Sequence, residues 1–453
     1  MRWASLFCAA ATTLIADKGV ADYRLPGGDT TVFDASREAF TQPAENLDPR
    51  SLARFFSGDT LFNTNWVNAS SVVEGRDGLG PLFNAHSCSA CHLKDGRGLP
   101  PEKDELPNGF LVRISEPGKA ENGSPMPHPV YGNQLSVRAL PGLQPEASVR
   151  VTYEEIAGSY PDGNEYRIQK PIYSIDNLSY GDIGTYEFSP RVAPSVFGLG
   201  LLDLVSPSDL LRNADPNDGD KDGISGRANW VWSPSENGRA LGKYGWKANK
   251  ANLKDQTAAA FQGDIGITSS LFPAENHSPR ISALRDLPSG GRPEIRDQEL
   301  EDVVFYLHTL APPASRFESD SKYEAGFQLF SQALCVNCHT PSFQTGKSEL
   351  FPALSNQTIY PYTDLLLHDM GEGLADNRND FEATGREWRT PPLWGIGLIP
   401  TVNGHSRLLH DGRARSIEEA ILWHGGEAAK SQQAFKNLSH EERASLIDFI
   451  ESL

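Results

Sequence analysis

The chain has 453 residues, with 59 Asp and Glu against 41 Lys and Arg, a net charge of −18. That length allows two or three domains and a sizeable core. The acidic balance argues against nucleic acid and anionic membrane as partners and would attract a basic one.

In chain order, residues 1–21 come first. They hold a short basic start, an apolar run from Trp3 to Ala16, and the small-x-small stretch Gly19-Val20-Ala21. This is the pattern of a cleaved signal peptide, and the run is too short to cross a bilayer. It predicts export to the periplasm and no transmembrane segment. Cys8 lies inside this run, after a bulky Phe7 that speaks against lipidation.

The other four of the five cysteines fall in two words. Cys88-Ser-Ala-Cys91-His92 is a C-x-x-C-H word, the attachment pattern of c-type haem. Its two thiols add across the haem vinyl groups, and the adjoining imidazole reaches the iron. Cys335-Val-Asn-Cys338-His339 is a second copy. Together they predict two covalently bound haem c groups, with His92 and His339 as iron ligands. Zinc or a redox dithiol is the alternative, but zinc needs four ligands gathered in one place.

After the first word, residues 99–190 are rich in Pro, Gly and Tyr and lack helical periodicity. Short strands are expected at 148–153 and 165–170, where β-branched and aromatic residues cluster. Met126 and His128 fall in this stretch as candidate haem ligands. A second insertion, about 206–243, holds Asp218, Asp220, Asp222 and Gly223 in the D-x-D-x-D-G order that opens a calcium loop. Its twelfth position is Asn229 rather than Glu, so a solvated turn is the competing reading. Further on, His277, His405 and His440 read as structural or solvated. Met370 and His368 are ambiguous. His424, at the end of a short helix, is a candidate iron ligand or a helix cap.

Four segments recur in the same order in both halves. Phe83 and Phe330 each stand five residues before a haem word. Arg191–Leu202 and Arg389–Ile399 both run Arg, Pro, aromatic-Gly-x-Gly-Leu. Trp246 and His410 each precede, by seven residues, an aliphatic residue that opens a helix (Leu253, Ile417). Helices at 299–310 and 442–453 close the two halves, the last with a Ser439/Glu442 capping box. In this register His308 matches Glu451, an outward position. The expected fold is therefore mainly α, with two tandem cytochrome c-type domains. They would be 22–310, carrying the loop and short-strand insertions, and 316–453, joined by the Pro-rich linker 311–315.

The ordered set RDGLGPLFNAHSCSACH, FGLGLLDLV, DGDKDGISGRANWV, GWKANKANLKDQTAAAFQGDIGITS, TPPLWGIGLI and LHDGRARSIEEAILWHGGEA covers most of the chain. It resembles the bacterial di-haem oxidoreductase family, within the di-haem cytochrome c peroxidase superfamily. The resemblance implies a catalytic N-terminal haem and a C-terminal haem as electron relay. It implies peroxide or an organic molecule as substrate, and a redox protein such as a small cytochrome or cupredoxin as donor. Trp246 falls where the superfamily has a tryptophan between the haems, although its Trp-Lys-Ala-Asn departs from the family's Asp-Gly-Arg. Asp264 falls where peroxidases carry the carboxyl that helps break the O–O bond, usually Glu. His424 stands where they place a methionine ligand. The distal histidine expected about ten residues before Pro194 is missing. The first haem would then be open, or closed by Tyr186, Glu187 or another residue of the insertion. The rival reading is a di-haem electron-transfer cytochrome serving a partner enzyme or iron uptake.

Overall fold

The structure is a computed structural model that describes residues 23–72, 75–102, 109–284 and 287–453. The signal-peptide segment 1–21 lies outside the described residues. The principal elements are α1 (Pro49–Asn63), β1 (Phe110–Lys119), β2 (Ser148–Ser159), β3 (Glu165–Asp176), β4 (Glu187–Val192), α2 (Leu253–Ala260), α3 (Asp297–Thr309), α4 (Asp320–Gln332), α5 (Ile417–Leu422) and α6 (His440–Ser452). No helix among the described residues is long and apolar enough to cross a membrane.

The expectation of a mainly α protein is corrected. The fold is mixed α/β, 29% helix and 20% strand, with six small antiparallel sheets among the described residues. The difference comes largely from the first insertion. The two short strands read at 148–153 and 165–170 are the starts of twelve-residue strands, β2 and β3, paired from Ser148↔Asp176 to Ser159↔Glu165. Pro161-Asp162-Gly163 makes their turn, with Gly163 at φ 87° and Asp162 Oδ1 accepting from the Asn164 amide. Polar residues along both strands hide the alternation that would have announced their full length.

This hairpin reaches across to the C-terminal half. Tyr160 donates to Glu418 at 2.6 Å, Arg415 to Glu155 at 2.7 Å, and Arg443 to Asp162 at 2.6 Å. The amide of Gln169 donates to Glu419. Glu418 and Glu419 open α5, so the insertion fixes the helix that leads into His424. A second pair, β1 with β4, sets Leu111 opposite Arg191 and Arg113 opposite Ser189.

The helices follow their local signals. Asp48 caps α1 through the amides of Arg50 and Ser51, with Pro49 at the first helical position. Ser439 and Glu442 form the expected capping box on α6. α1 packs on α3, and α4 packs on α6.

The repeated Gly-x-Gly turns meet each other. A Cβ on Gly198 would lie 2.5 Å from the Trp394 ring, and one on Gly395 would lie 2.8 Å from the Phe197 ring. Both glycines sit at positive φ, 71° and 68°, where side chains are strained. Two residues on, Gly200 abuts the carbonyl of His308 and Gly397 that of Glu451. The backbones of His308 and Glu451 therefore occupy equivalent places, but the side chains do not. His308, read as outward and solvated, is buried, stacked on Phe351 at 4.0 Å and bonded to Asp203 at 3.0 Å. Phe351 and Asp203 cover His308 on a side where Glu451 stays exposed.

Candidate active site

Each haem word is a short turn with a local reason to form. Ser87 caps Cys88–Cys91 by accepting from the Ala90 amide, and the His92 amide donates back to Cys88 at 3.0 Å. The His339 amide donates to Cys335 at 2.9 Å in the same way. Both words open onto one cavity of about 390 Å³, mainly apolar in its lining. Cys88, Cys91, His92, Cys335, Cys338, His339, His424, Trp246 and Asp264 all line it.

Three imidazoles are set up alike. His92 Nδ1 bonds the Pro194 carbonyl at 2.8 Å, His339 Nδ1 that of Tyr362 at 2.9 Å, and His424 Nδ1 that of Ala420 at 2.7 Å. A carbonyl partner makes Nδ1 the donor and leaves Nε2 as the ligand atom. Burial pushes all three below the usual imidazole range, His339 to about 4, so they are neutral as iron requires. His424 also acts electrostatically on His339, which places the two close together.

The cysteines fit thioethers better than metal thiolates. All four are free, and burial pushes their thiols up, to about 12 for Cys91 and Cys335. A zinc site stabilises thiolate, whereas a thioether carries no charge to desolvate. Among the described residues, one group of His, Cys, Asp or Glu converges tightly enough to share an ion, and it contains no cysteine. The donor set therefore fits two haem c groups.

Asp264 sits in a single π-helical turn, Phe261–Ile265, at the end of α2. Such turns re-aim side chains and often serve sites. Its carbonyl accepts from the amides of Asn84 and Ala85, just ahead of the first haem word, at 2.7 and 3.0 Å. Its Oδ1 accepts from Gln134 Nε2 at 2.7 Å. Trp246 donates through Nε1 to Val192 at 2.8 Å and carries the Arg97 guanidinium 5.0 Å above its ring.

Other candidates fall elsewhere. His128 spends both ring nitrogens, one on the Ile183 carbonyl and the other on the amides of Val130 and Tyr131. Met126, His128, Tyr186 and Glu187 do not line the cavity. His368 does, yet Asp364 and Glu427 take its two nitrogens at 2.9 and 2.8 Å. Burial opposes its charge, but those carboxylates outweigh it and hold the ring well above its usual range. Met370 lines the cavity too.

The acidic loop differs from expectation in one member. Asp215, Asp218 and Asp220 bring carboxylate oxygens within 4.8 Å of one another. Asp222 instead accepts from the Ile224 amide at 2.7 Å. Sequence reasoning placed His410 in the repeat but missed Trp388, stacked on it at 3.6 Å in the cavity wall. The pairing of Trp246 with His410 in the repeat is what marked His410, and it carries no signal for Trp388.

The family described as "Di-haem oxidoreductase, putative peroxidase" matches residues 21–453. The chain belongs to this di-haem oxidoreductase family. No curated protein matches it. Among solved structures it is similar to "Kuenenia stuttgartiensis Hydrazine Synthase Pressurized with 20 bar Xenon". That similarity has 13% identity and a TM-score of 0.34, over 99% of this chain and 100% of the other. In this di-haem oxidoreductase both attachment words line one cavity.

Proposed function

We propose that this di-haem oxidoreductase reduces a peroxide at the haem held by Cys88, Cys91 and His92. Electrons would be relayed from the haem held by Cys335, Cys338, His339 and His424. The observation that carries this reading is the placement of Asp264. It is the one carboxylate among the described residues lining the cavity, and it is pinned beside the first word by Gln134. The haems, when bound, supply electron storage and reductive O–O cleavage. Asp264 supplies the proton movement: it takes the proton from the inner peroxide oxygen and returns it to the outer one. Two electrons and two protons enter, and two waters leave. Trp246, which lines the same cavity, would serve as the relay residue. The absence of Tyr186, Glu187, Met126 and His128 from the cavity supports an open first site. Residues 1–21 would direct the chain to the periplasm, and its acidic charge suits a basic donor such as a small cytochrome or cupredoxin.

The test is the ferric spin state of the purified holoprotein. One high-spin and one low-spin haem are expected. Two low-spin haems would leave no open site and would favour the electron-transfer cytochrome. Trp246→Phe should leave peroxide binding intact and slow re-reduction of the first haem by the second, followed by stopped-flow absorbance. An unchanged transfer rate would remove Trp246 from the path.

We also propose that the Asp215, Asp218 and Asp220 cluster binds calcium. A chelator should then lower the melting temperature, since loss of a native-state ligand destabilises. Identical melting with and without calcium would leave a solvated turn.

A further inference from the structure

The cavity wall carries an unbalanced charge. Five cationic side chains line it: Arg97, Arg113, Arg191, Lys250 and Arg389. Arg191 is paired with Asp380 at 3.1 Å. The Arg97 guanidinium lies over the Trp246 ring and donates to the Leu409 carbonyl, and among the described residues its buried Nε has no hydrogen-bond partner. Arg389 donates to the carbonyls of Gly245 and Thr390 at 2.9 and 3.1 Å. Arg113 feels Asp264 and Asp380 at a distance but makes no ion pair with either among the described residues. Lys250 has its ammonium 5.8 Å from the Phe272 ring centroid, again with no carboxylate in contact.

Two buried cations, Arg97 and Arg389, and two half-buried ones, Arg113 and Lys250, thus have no carboxylate in contact among the described residues. Burial pushes Arg97 and Arg389 down to about 10 and lowers Arg113 and Lys250 as well. Buried charges are tolerated when paired, and an unpaired set facing a cavity marks where anions belong. Each haem c brings two propionate carboxylates, so two haems bring four. The fork of a guanidinium matches a carboxylate in two parallel bonds. We propose that Arg97, Arg113, Lys250 and Arg389 are the counter-charges of the four haem propionates.

The four fall into two pairs. Arg97 and Arg389 flank the Trp246 position, one over its ring and one on the carbonyl of Gly245 just before it. Arg113 and Lys250 influence each other, and Arg113 also feels Asp264. Arg113 is placed by β1 pairing with β4, within the insertion that reads from sequence as loops with short strands elsewhere, at 148–153 and 165–170. The assignment rests on two bound haems and not on peroxide chemistry, so its test reads the same whether or not peroxide reacts.

A free anionic substrate would use the same chemistry, and the experiment separates the two sources. The full-length holoprotein is made as Arg97→Gln, Arg113→Gln, Lys250→Gln and Arg389→Gln. Resonance Raman follows the propionate-bending bands, and potentiometric titrations are run across pH. Each variant should shift the propionate band of one haem. It should also add a pH-dependent step near neutral pH to that haem's reduction potential, absent from wild type. A propionate stripped of its counter-charge takes up a proton on reduction, whereas a cation that is merely nearby would move the potential evenly. Where a Gln variant fails to load a haem, Arg97→Lys, Arg113→Lys, Arg389→Lys or Lys250→Arg keeps the charge. It should restore loading with a shifted band, and failure to do so counts against the proposal. Wild-type bands and pH profiles in all four Gln variants would overturn it. So would saturable binding of inorganic phosphate or acetate to wild type that Arg113→Gln abolishes while leaving the propionate bands unmoved.

Discussion

Asp264→Asn is expected to slow peroxide turnover on the order of 10²–10⁴-fold, the usual contribution of a general acid–base group. The substitution keeps the planar shape and the atom that accepts from Gln134, while removing the ionisable proton site. The backbone of residue 264 is anchored by the amides of Asn84 and Ala85, so the turn itself is held independently of the side chain. The loss should therefore appear in the chemical step, with peroxide association little changed. Stopped-flow mixing of the half-reduced protein with hydrogen peroxide, following both haem bands, separates these steps. A wild-type rate in Asp264→Asn would assign the proton to another group.

His424→Ala should convert one low-spin ferric haem to high spin and leave the other unchanged. Two features motivate this. The Ala420 carbonyl fixes Nδ1 at 2.7 Å and frees Nε2, and the ring lies close enough to His339 to depress its basicity. Added imidazole should fill the vacated position and restore the low-spin spectrum, which a role as helix cap would not produce. If Met370 moves in instead, a sulfur-to-iron charge-transfer band absent from wild type will report it. Because imidazole replaces thioether, the wild-type potential of this haem should lie below that of a methionine-ligated one. A variant spectrum identical to wild type would end the ligand assignment.

The haem words were legible because their chemistry is local: two thiols and an imidazole must sit within five residues. The repeat was legible for a similar reason, since each half places its glycines and aromatics at the same spacing. What escaped was the consequence of contacts made at long range. The hairpin of β2 and β3 carries so many polar residues, because it bonds to α5 and α6 through them, that its strands read as fragments. His308 was read from its repeat partner, and the pattern held for the backbone. Its side chain was decided by Phe351 and Asp203, far off in sequence. Asp215 entered the acidic cluster because the loop folds back through Gly219 and Asp220, whose amides bond its carboxylate at 2.6 and 3.3 Å. A linear motif cannot show that return.

The paired turns at Gly198 and Gly395 carry a consequence of their own. Phe197 packs on Gly395 while Trp394 packs on Gly198, each aromatic on the other half's glycine. Reciprocal contact of this kind is what a two-fold axis generates between identical subunits. A single chain that makes it with itself holds a homodimer interface inside one molecule. Two separate cytochromes meeting in this way would part on dilution, and the route between their irons would part with them. Carried on one chain, the two turns stay at a high effective concentration whatever the protein concentration. The distance an electron must cross is thus written into the chain, and the two halves are free to differ, one keeping a tryptophan where the other keeps His410.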